Sequence, residues 1–333
     1  MVVAGAKGCG VSVYWDIVKR FSKARVVVVG DLILDRYIFG EAERISREAP
    51  VPVVRVERVE ERLGGAGSVL ANVVRMGAKA SVVGVVGADE EGRVLRRLIG
   101  ELGADMYLIE DCERPTTVKT RVIARGQHVV RIDREERDEV RGEAESWILD
   151  YVMGEAMRCD VVIVSDYAKG AITRKIMRYL SINGGEKVVV DPKPAHAGYY
   201  EGVMFMTPNA REALEMTGCG TVEEAGRKLM DAVICGVAIT RGNEGVSLFV
   251  RGSPPVHIPA IGVREVYDVT GAGDAFVAAF SLAIAVGATP RQAAVIGNLA
   301  GGIEVSKLGA IPVTQEELLR AIEGGRLGAV EGG

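Results

Sequence analysis

Short runs of consecutive apolar residues, rich in valine and isoleucine, recur along the chain and alternate with segments of helical periodicity. A strand that is apolar on both faces must be covered on both faces, and the intervening helices can supply that cover. The pattern therefore predicts an α/β fold with a doubly wound, mainly parallel sheet flanked by helices. The runs assigned to this sheet are Val26 to Val29, Ser81 to Val86, Val161 to Val164, Lys187 to Val190, Val203 to Met206 and Val237 to Thr240.

Two stretches interrupt this rhythm, because they alternate like strands but contain no helical segment. They lie within Tyr37 to Val59 and Thr116 to Asp133. Open α/β sheets bind ligands at the carboxyl edge of their strands, and a small sheet placed there can cover the ligand. We therefore expect a β-sheet lid formed by about residues 36–62 and 114–134.

The second of these stretches is expected to have one cationic and one apolar face, since successive side chains of a strand point to opposite sides. The side chains on the cationic face would be Thr117, Lys119, Arg121 and Arg125. Those on the apolar face would be Val118, Thr120, Val122 and Ala124.

The chain before the first strand-like run is expected to be separate from the main domain. Residues 1–24 are predicted to form an N-terminal extension on the surface, with one amphipathic helix within Val11 to Phe21. The main domain, with its lid, is predicted to span residues 25–325.

Composition narrows the function classes. A formal net charge of -4 and a pI near 5.7 argue against a general nucleic-acid binder. Five cysteines without a C-x-x-C pair are typical of reduced thiols, and no apolar run reaches the ~18 residues that span a bilayer. We expect a cytoplasmic protein without membrane or nucleic-acid partners. The three histidines, His128, His196 and His257, show no metal-ligand spacing and are expected in ordinary surface or loop positions.

The sharpest chemical signal is a glycine-rich run, Asp268 to Phe276, followed by an apolar helical segment. The main-chain amides of Gly271, Ala272 and Gly273 at a helix start can bind an anion such as a transferring phosphoryl group. Asp274 would be ionised beside it and could accept a proton from an attacking hydroxyl. The alternative is a tight turn whose acid only stabilises its own helix.

This run resembles the second signature, D-x-T-G-A-G-D, of the PfkB (ribokinase-like) carbohydrate kinase family. The resemblance extends over nearly the whole chain after the extension. It implies a ribokinase-like fold and ATP-dependent phosphorylation of a sugar hydroxyl, with Asp274 as base and the preceding amides as anion hole. Further matching segments are Gly30-Asp31, Asp35, Gly64 to Ala66, Ser165 to Gly170, Asp191 to Lys193, Thr207 to Asn209 with Glu212, and Thr240 to Gly242.

The chain looks most similar to the D-glycero-β-D-manno-heptose 7-phosphate kinase domain of that family. The closer match lies in Arg44 to Val53, in S-D-Y-A-K-G and in V-Y-D-V-T-G-A-G-D. It implies a heptose 7-phosphate as acceptor, phosphorylated at its anomeric hydroxyl. One departure is Ser68, which stands where the relatives have a sugar-binding asparagine and offers a hydroxyl in place of an amide.

The resemblance also implies which residues bind the acceptor. Asp35, Gly64, Gly65 and Ser68 would contact the sugar; otherwise they are loop and turn residues. A phosphate already on the acceptor would suit arginine and lysine side chains, although each could equally belong to a solvated face of the lid. The candidate cations are Lys119, Arg121, Arg125, Arg131, Lys169, Lys193 and Arg44.

By the same resemblance, Asn209, Glu212, Thr240 to Gly242 (with Arg241) and Asn298 would contact ATP. Glu212 would act on Mg²⁺ through water, because this ion keeps several waters; N-x-x-E is also a helix capping box. A K⁺ ion beside Asp268 and Thr270 is implied as well.

Other functions remain open from the sequence. The acceptor could be an unphosphorylated sugar or a nucleoside, or the chain could be a catalytically silent sugar- or nucleotide-binding regulator. We further expect a homodimer through the lid, because an exposed edge strand invites pairing.

Overall fold

The computed structural model describes residues 9–155, 158–262, 270–307 and 309–327, with side chains from Val13 onward. Its strands are β1 Arg25–Gly30, β2 Leu32–Ile45, β3 Pro52–Gly65, β4 Lys79–Gly87, β5 Asp105–Asp111, β6 Thr117–Ala124, β7 Gln127–Arg134, β8 Val161–Ser165, β9 Val188–Asp191, β10 Val203–Met206, β11 Val233–Thr240, β12 Val246–Val250 and β13 Val256–Ile258. Its α-helices are α1 Cys9–Lys19, α2 Ala66–Arg75, α3 Glu90–Glu101, α4 Glu143–Glu155, α5 Arg174–Gly184, α6 Ala210–Thr217, α7 Val222–Leu229, α8 Ala272–Ala285, α9 Pro290–Glu304 and α10 Gln315–Glu323.

Within these residues, nine strands form the main sheet in the order β13-β12-β11-β10-β9-β8-β1-β4-β5. The strands from β5 to β11 are parallel, and β12 and β13 complete the sheet as antiparallel neighbours. Each strand run that the apolar pattern predicted lies in this sheet. The predicted mainly parallel α/β architecture is confirmed.

The sheet separates two hydrophobic cores. Val26 and Val28 of β1 pack into one core, which α1, α2, α3, α8, α9 and α10 cover. Val27 and Val29 pack into the other, which α4 to α7 cover. Because alternate residues of one strand serve opposite cores, the strand must be apolar throughout, as its sequence is. The loops at the carboxyl edge of the main sheet, and the starts of the helices that follow them, are held between these two layers of helices.

A second sheet of four strands, in the order β3-β2-β6-β7, forms the lid. β2 and β3 are an antiparallel hairpin, β6 pairs parallel with β2, and β6 and β7 form a second hairpin. The first hairpin extends beyond the predicted segment, because β2 begins only one residue after β1 ends and β3 leads directly into α2.

Arg125 is not on the cationic face where the alternation placed it. β6 ends at Ala124, and Arg125 and Gly126 form the turn to β7 with φ values of 52° and 75°. Two successive residues with positive φ are typical of the tight turns that join antiparallel strands. The Arg125 side chain is therefore exposed at the tip of the hairpin.

The segment before Arg25 contributes to the core. Ile17, Val18 and Phe21 are buried against the layer that contains α10. Trp15 Nε1 donates to a Glu323 carboxylate oxygen at 3.1 Å, which ties α1 to the end of α10. Side chains from before residue 24 thus pack in the same core as the main domain, although a boundary was predicted there. No helix of the described ranges has the length and apolar character needed to cross a membrane.

We predict that Phe21→Ala lowers the free energy of unfolding by about 3 to 5 kcal/mol, because it removes a fully buried ring from the core. Urea unfolding followed by circular dichroism would measure the loss. Val13→Ala, in α1 of the same N-terminal segment but 40% exposed, should change the free energy by no more than about 0.5 kcal/mol. Equal, small effects of both substitutions would contradict the packing role of this segment.

Candidate active site

Asp274 lies in the first turn of α8, at the carboxyl edge of the main sheet. The helix begins after Gly271, whose φ of 90° lies in the left-handed region. The first N–H groups of a helix have no partner within the helix and carry its positive dipole end. Around the Cβ position of Gly273, no described atom lies within 4 Å. Among the described residues, the Gly273 side of the helix start is therefore not covered by a neighbouring side chain, which is compatible with the predicted anion site.

The Asp274 carboxylate is 6% exposed and is held by two hydroxyl groups. The Tyr167 hydroxyl donates to its Oδ1 at 2.8 Å, and the Ser68 hydroxyl also hydrogen-bonds it. The pKa of Asp274 is raised to about 6: burial is the main cause and Asp35 adds to it, while the two hydroxyls and Lys193 offset part of the increase. A carboxyl with this pKa is mostly ionised at neutral pH and can still take up a proton, which suits a general base.

Two buried carboxylates hold the loop that carries Tyr167. Asp31 accepts hydrogen bonds from the amides of Tyr167 at 2.8 Å, Lys169 at 3.1 Å and Ala171 at 2.9 Å. Burial and the neighbouring Asp166 raise the pKa of Asp31 to about 6, although these amides lower it. Asp31 thus holds the loop through three of its main-chain amides, a role that the sequence analysis missed.

The second carboxylate, Asp166, accepts from the Ala168 amide, the Tyr200 hydroxyl and His196 Nδ1, each at 2.7 Å. The expectation that His196 is an ordinary surface or loop residue is wrong in this respect. Its hydrogen bond to Asp166 raises the pKa of the imidazole. The sequence gives a signal for Asp166, which the S-D-Y-A-K-G run places directly before the loop, but none for His196 as its partner.

The predicted acceptor residues gather beside Asp274. Asp35 is 6% exposed and forms an ion pair with Arg121 across the lid sheet. A Cβ on Gly64 would lie 2.3 Å from Asp35 Oδ2, and one on Gly65 would lie 2.3 Å from the Asp31 carbonyl oxygen. Gly64 therefore permits a close approach of β3 to the Asp35 side chain of β2, and Gly65 permits one to Asp31, between β1 and β2. Ser68 faces the Asp274 carboxyl.

Three of the predicted cations meet over this site. Burial lowers the pKa of the Lys119 ammonium, and repulsion from Lys169 and Arg121 lowers it further, although Asp35 raises it. Lys169 is paired with Glu135 at 2.8 Å, with both side chains largely buried. Because a buried cation with cationic neighbours is stabilised by a bound anion, the cluster is suited to a phosphate.

The remaining predicted cations lie elsewhere on the lid or at the nucleotide side. Arg131 is opposite Arg121 in the sheet register, but its side chain is 60% exposed and pairs with Asp133 at 3.0 Å. Arg44 is exposed near the far end of β2. Lys193 forms an ion pair with Glu212; burial lowers the pKa of Lys193, but Asp191 and Glu212 outweigh it and leave the pKa raised.

The residues predicted to contact the nucleotide lie at the ends of β10 and β11 and in the segments that follow them. Asn209 and Glu212 form a capping box at the start of α6. Thr240, at the end of β11, forms an isolated bridge with Asn209. Arg241 bonds Ser247 at 3.2 Å and pairs with Glu223 at 3.2 Å and with Glu244. Gly242 follows it with a φ of 57° and open space around its Cβ position.

Asn298 lies farther along this edge and donates to the Pro259 carbonyl at 2.7 Å, so its amide has a structural partner. Asp268 lies outside the described residues, and Thr270 directly precedes Gly271. A buried carboxylate that the sequence analysis missed, Glu304, lies behind this turn: its Oε1 is 2.4 Å from the Cβ position of Gly271. Among the described residues, no group of three His, Cys, Asp or Glu side chains is placed to hold a metal.

Comparison with known sequences places this site in a family context. A family model described as pfkB family carbohydrate kinase matches residues 23–317. The chain is 44% identical over 313 residues to the bifunctional protein HldE of Geotalea uraniireducens, covering 91% of the chain and 64% of that protein. It is 42% identical over 311 residues to the HldE of Caulobacter vibrioides, covering 90% and 64%. The chain thus spans less than two thirds of the length of these relatives.

Solved structures share the fold. The Arabidopsis thaliana ribokinase, described with ribose and ATP, superposes with a TM-score of 0.71 at 20% identity over 90% of this chain and 99% of that chain. The Escherichia coli phosphofructokinase-2, described in complex with substrates and products, superposes with a TM-score of 0.74 at 14% identity over 90% and 99%. The predicted ribokinase-like fold is confirmed.

We predict that Gly271→Ala destabilises the protein by about 3 kcal/mol or more, because alanine pays the left-handed backbone cost and its Cβ collides with buried Glu304. Gly287 offers a matched control, since its φ is +83° but no described atom lies within 4 Å of its Cβ position. Gly287→Ala should cost only about 1 to 2 kcal/mol. Urea unfolding of both variants measures the difference; equal losses would show that Glu304 does not crowd the helix start.

Proposed function

Because the chain belongs to the pfkB carbohydrate kinase family and is an ATP-dependent sugar kinase, we propose that it phosphorylates a heptose 7-phosphate at its anomeric hydroxyl. One observation carries this proposal. A buried carboxylate, Asp274, lies between an open helix start that suits a phosphoryl group and a cluster of cations that suits a second phosphate.

In the proposed reaction, Asp274 accepts the proton of the anomeric hydroxyl as that oxygen attacks the γ-phosphorus of ATP. The bond from the γ-phosphorus to the ADP oxygen breaks, and ADP leaves. The main-chain amides of Gly271, Ala272 and Gly273 stabilise the charge on the transferring group. Positioning and electrostatic stabilisation supply most of the catalysis in phosphoryl transfer, so little covalent work falls to the protein.

The phosphate already on the acceptor is assigned to Lys119, Arg121 and Lys169. Lys119 and Arg121 turn toward the body of the protein on the lid face that also carries Asp35. This orientation supports a phosphorylated acceptor, because side chains that faced solvent could not bind its phosphate. The resemblance of Arg44 to Val53 and of S-D-Y-A-K-G to heptose 7-phosphate kinases supports the same acceptor.

The acceptor can be tested directly. Purified protein, ATP and a panel of sugars, sugar phosphates and nucleosides would be assayed for ADP release, with D-glycero-D-manno-heptose 7-phosphate first. Phosphorus NMR of the product would show whether the new phosphate is on the anomeric carbon. Faster turnover of an unphosphorylated sugar or nucleoside would overturn the proposed acceptor, and no turnover with any acceptor would favour a silent binding protein.

The nucleotide would be bound by Asn209, Glu212, Thr240, Arg241, Gly242 and Asn298, with Mg²⁺ held largely by the phosphates. Glu212 suits contact with Mg²⁺ through water, because its two oxygens already bind Lys193 and the Asn209 amide. The ion would neutralise charge on the transferring group. The proposed K⁺ site is Thr270 with Asp268, which lies outside the described residues; equal rates in sodium and potassium buffers would exclude a requirement for K⁺.

We also propose a homodimer through the lid. Ile38, Val59, Val122 and Val130 form one row across all four lid strands, on the face opposite Lys119 and Arg121. Val59 and Val130 are 52% and 48% exposed. An apolar row of this kind on a sheet face is typical of an interaction surface. Sedimentation equilibrium would report the oligomeric state, and a monomer at micromolar concentration would contradict the proposal.

We predict that Asp274→Asn lowers kcat by about 10²- to 10⁴-fold with little change in the KM for ATP, because it removes the base but not the nucleotide site. In the wild type, kcat/KM should fall about tenfold per pH unit below the Asp274 pKa of about 6, since protonation abolishes the base. Steady-state kinetics over the acid and neutral range measure both. Wild-type turnover in the variant would contradict the assignment.

We predict that Lys119→Met lowers kcat/KM for a phosphorylated acceptor by roughly tenfold or more, since it removes a charged partner of the phosphate. The rate with the corresponding unphosphorylated sugar should hardly change. Lys175→Met, on α5 and 61% exposed, is the matched control and should leave both rates unaltered. Equal losses with both acceptors would show that Lys119 does not bind the phosphate.

A further inference from the structure

We propose that Tyr167 is a positioning residue that fixes the catalytic carboxylate and contacts both the acceptor and the nucleotide sides of the site. This inference deepens the proposed function and rests on it for the role of Asp274 as base. Tyr167 lies 107 residues from Asp274 in sequence, and its hydroxyl is 2.8 Å from Asp274 Oδ1.

Two cations contact the ring of Tyr167. Lys119 Nζ, from the lid, and Lys193 Nζ, from the loop after β9, are each 5.0 Å from the ring centroid. Ammonium groups at this distance are attracted to an aromatic face. Lys119 belongs to the proposed acceptor-phosphate cluster, and Lys193 pairs with Glu212 on the nucleotide side. Tyr167 therefore contacts both cationic regions.

The hydrogen bonds to Asp274 leave room for the substrate. An ionised carboxylate has about four lone-pair sites, so it can accept from Tyr167 and from Ser68 and still receive a third hydroxyl. Two fixed donors restrict rotation of the carboxylate, which keeps one oxygen in line with an incoming alcohol. Ser68 would thus have a second role besides contact with the sugar, because its hydroxyl helps to fix the Asp274 carboxylate.

The backbone of Tyr167 is fixed as firmly as its hydroxyl. Its amide donates to Asp31, and the next residue, Ala168, has a φ of 52° and donates to Asp166. A non-glycine residue in the left-handed region persists only where the surroundings hold it. Gly170 completes the loop, since a Cβ there would lie 2.1 Å from the Asp138 carbonyl oxygen. The loop cannot move Tyr167 without breaking bonds to buried carboxylates.

The protonation of Asp274 should report on this contact. The hydroxyl of Tyr167 stabilises the ionised carboxylate and lowers its pKa, against the effect of burial. The other titratable groups that act on the carboxylate do not change when Tyr167 loses its hydroxyl. These groups are Asp35, Asp191 and Lys193.

The test compares Tyr167→Phe with the wild type in the heptose 7-phosphate assay. We expect kcat to fall about 10- to 100-fold, the KM for ATP to change less than about twofold, and the acid limb of kcat/KM to move up by about one pH unit. Tyr199→Phe is the matched control, because its hydroxyl donates to Glu139 at 2.8 Å and not to the site. Ser68→Ala should shift the limb in the same direction, and Ser68→Thr, which keeps a hydroxyl, should restore it.

A second measurement needs no turnover. Carbon NMR of aspartate carboxyl groups, with Asp274→Asn to assign the signal, gives the titration of Asp274 in the protein alone. We expect Tyr167→Phe to move this titration to higher pH and Tyr199→Phe to leave it in place. If the wild type turns over no acceptor, the proposed function fails while the titration still decides the contact. A loss of kcat with an unmoved acid limb and unmoved titration would mean a structural role only and would overturn the inference.

Discussion

The active site depends on how a buried carboxylate, Asp31, is satisfied by main-chain amides. A carboxylate removed from water is costly unless hydrogen bonds compensate it, and Asp31 obtains three from one short loop. That requirement fixes the loop's path and hence the places of Tyr167 and Lys169. The carbonyl oxygen of Asp31 also accepts the Ala66 amide at 2.9 Å, which fixes the start of α2 beside the same point.

Around this point the protein concentrates opposite charges in a poorly solvated region. The pKa of Asp191 is raised well above its usual range by burial and by neighbouring carboxylates, while that of Lys119 is lowered by burial and by neighbouring cations. In the proposed complex, the metal ion that accompanies ATP would supply positive charge on the side of Asp191, and a phosphorylated sugar would supply negative charge on the side of Lys119. Substrate binding would therefore offset part of the electrostatic cost of burying these two groups.

The sequence was most informative where several consecutive residues are apolar, because such runs must be buried. Continuous valine runs predicted the strands of the main sheet, since only a sheet covered on both faces requires them. The glycine-rich run predicted the open helix start at Gly271, and alternation predicted the lid. The comparisons confirm the family and the fold, while the roles of individual site residues remain predictions.

Other features depend on partners distant in sequence, so no local pattern could reveal them. Phe21 is buried partly because α1 meets α10 at the opposite end of the chain, and Tyr167 reaches Asp274 across 107 residues. Arg125 is a different case, because a local cue was present: Gly126 follows it, and the two residues form a turn where simple alternation continued the strand. His196 is isolated in sequence and finds Asp166 only through the fold.

The single residue between β1 and β2 has a mechanical consequence. β1 ends at Gly30 in the main sheet, and β2 begins at Leu32 in the lid, so Asp31 is the covalent link between the two sheets at this point. The same residue holds the loop whose tyrosine contacts Asp274. A rotation of the lid relative to the main sheet would turn the peptide groups on either side of Asp31 and would therefore act on this loop.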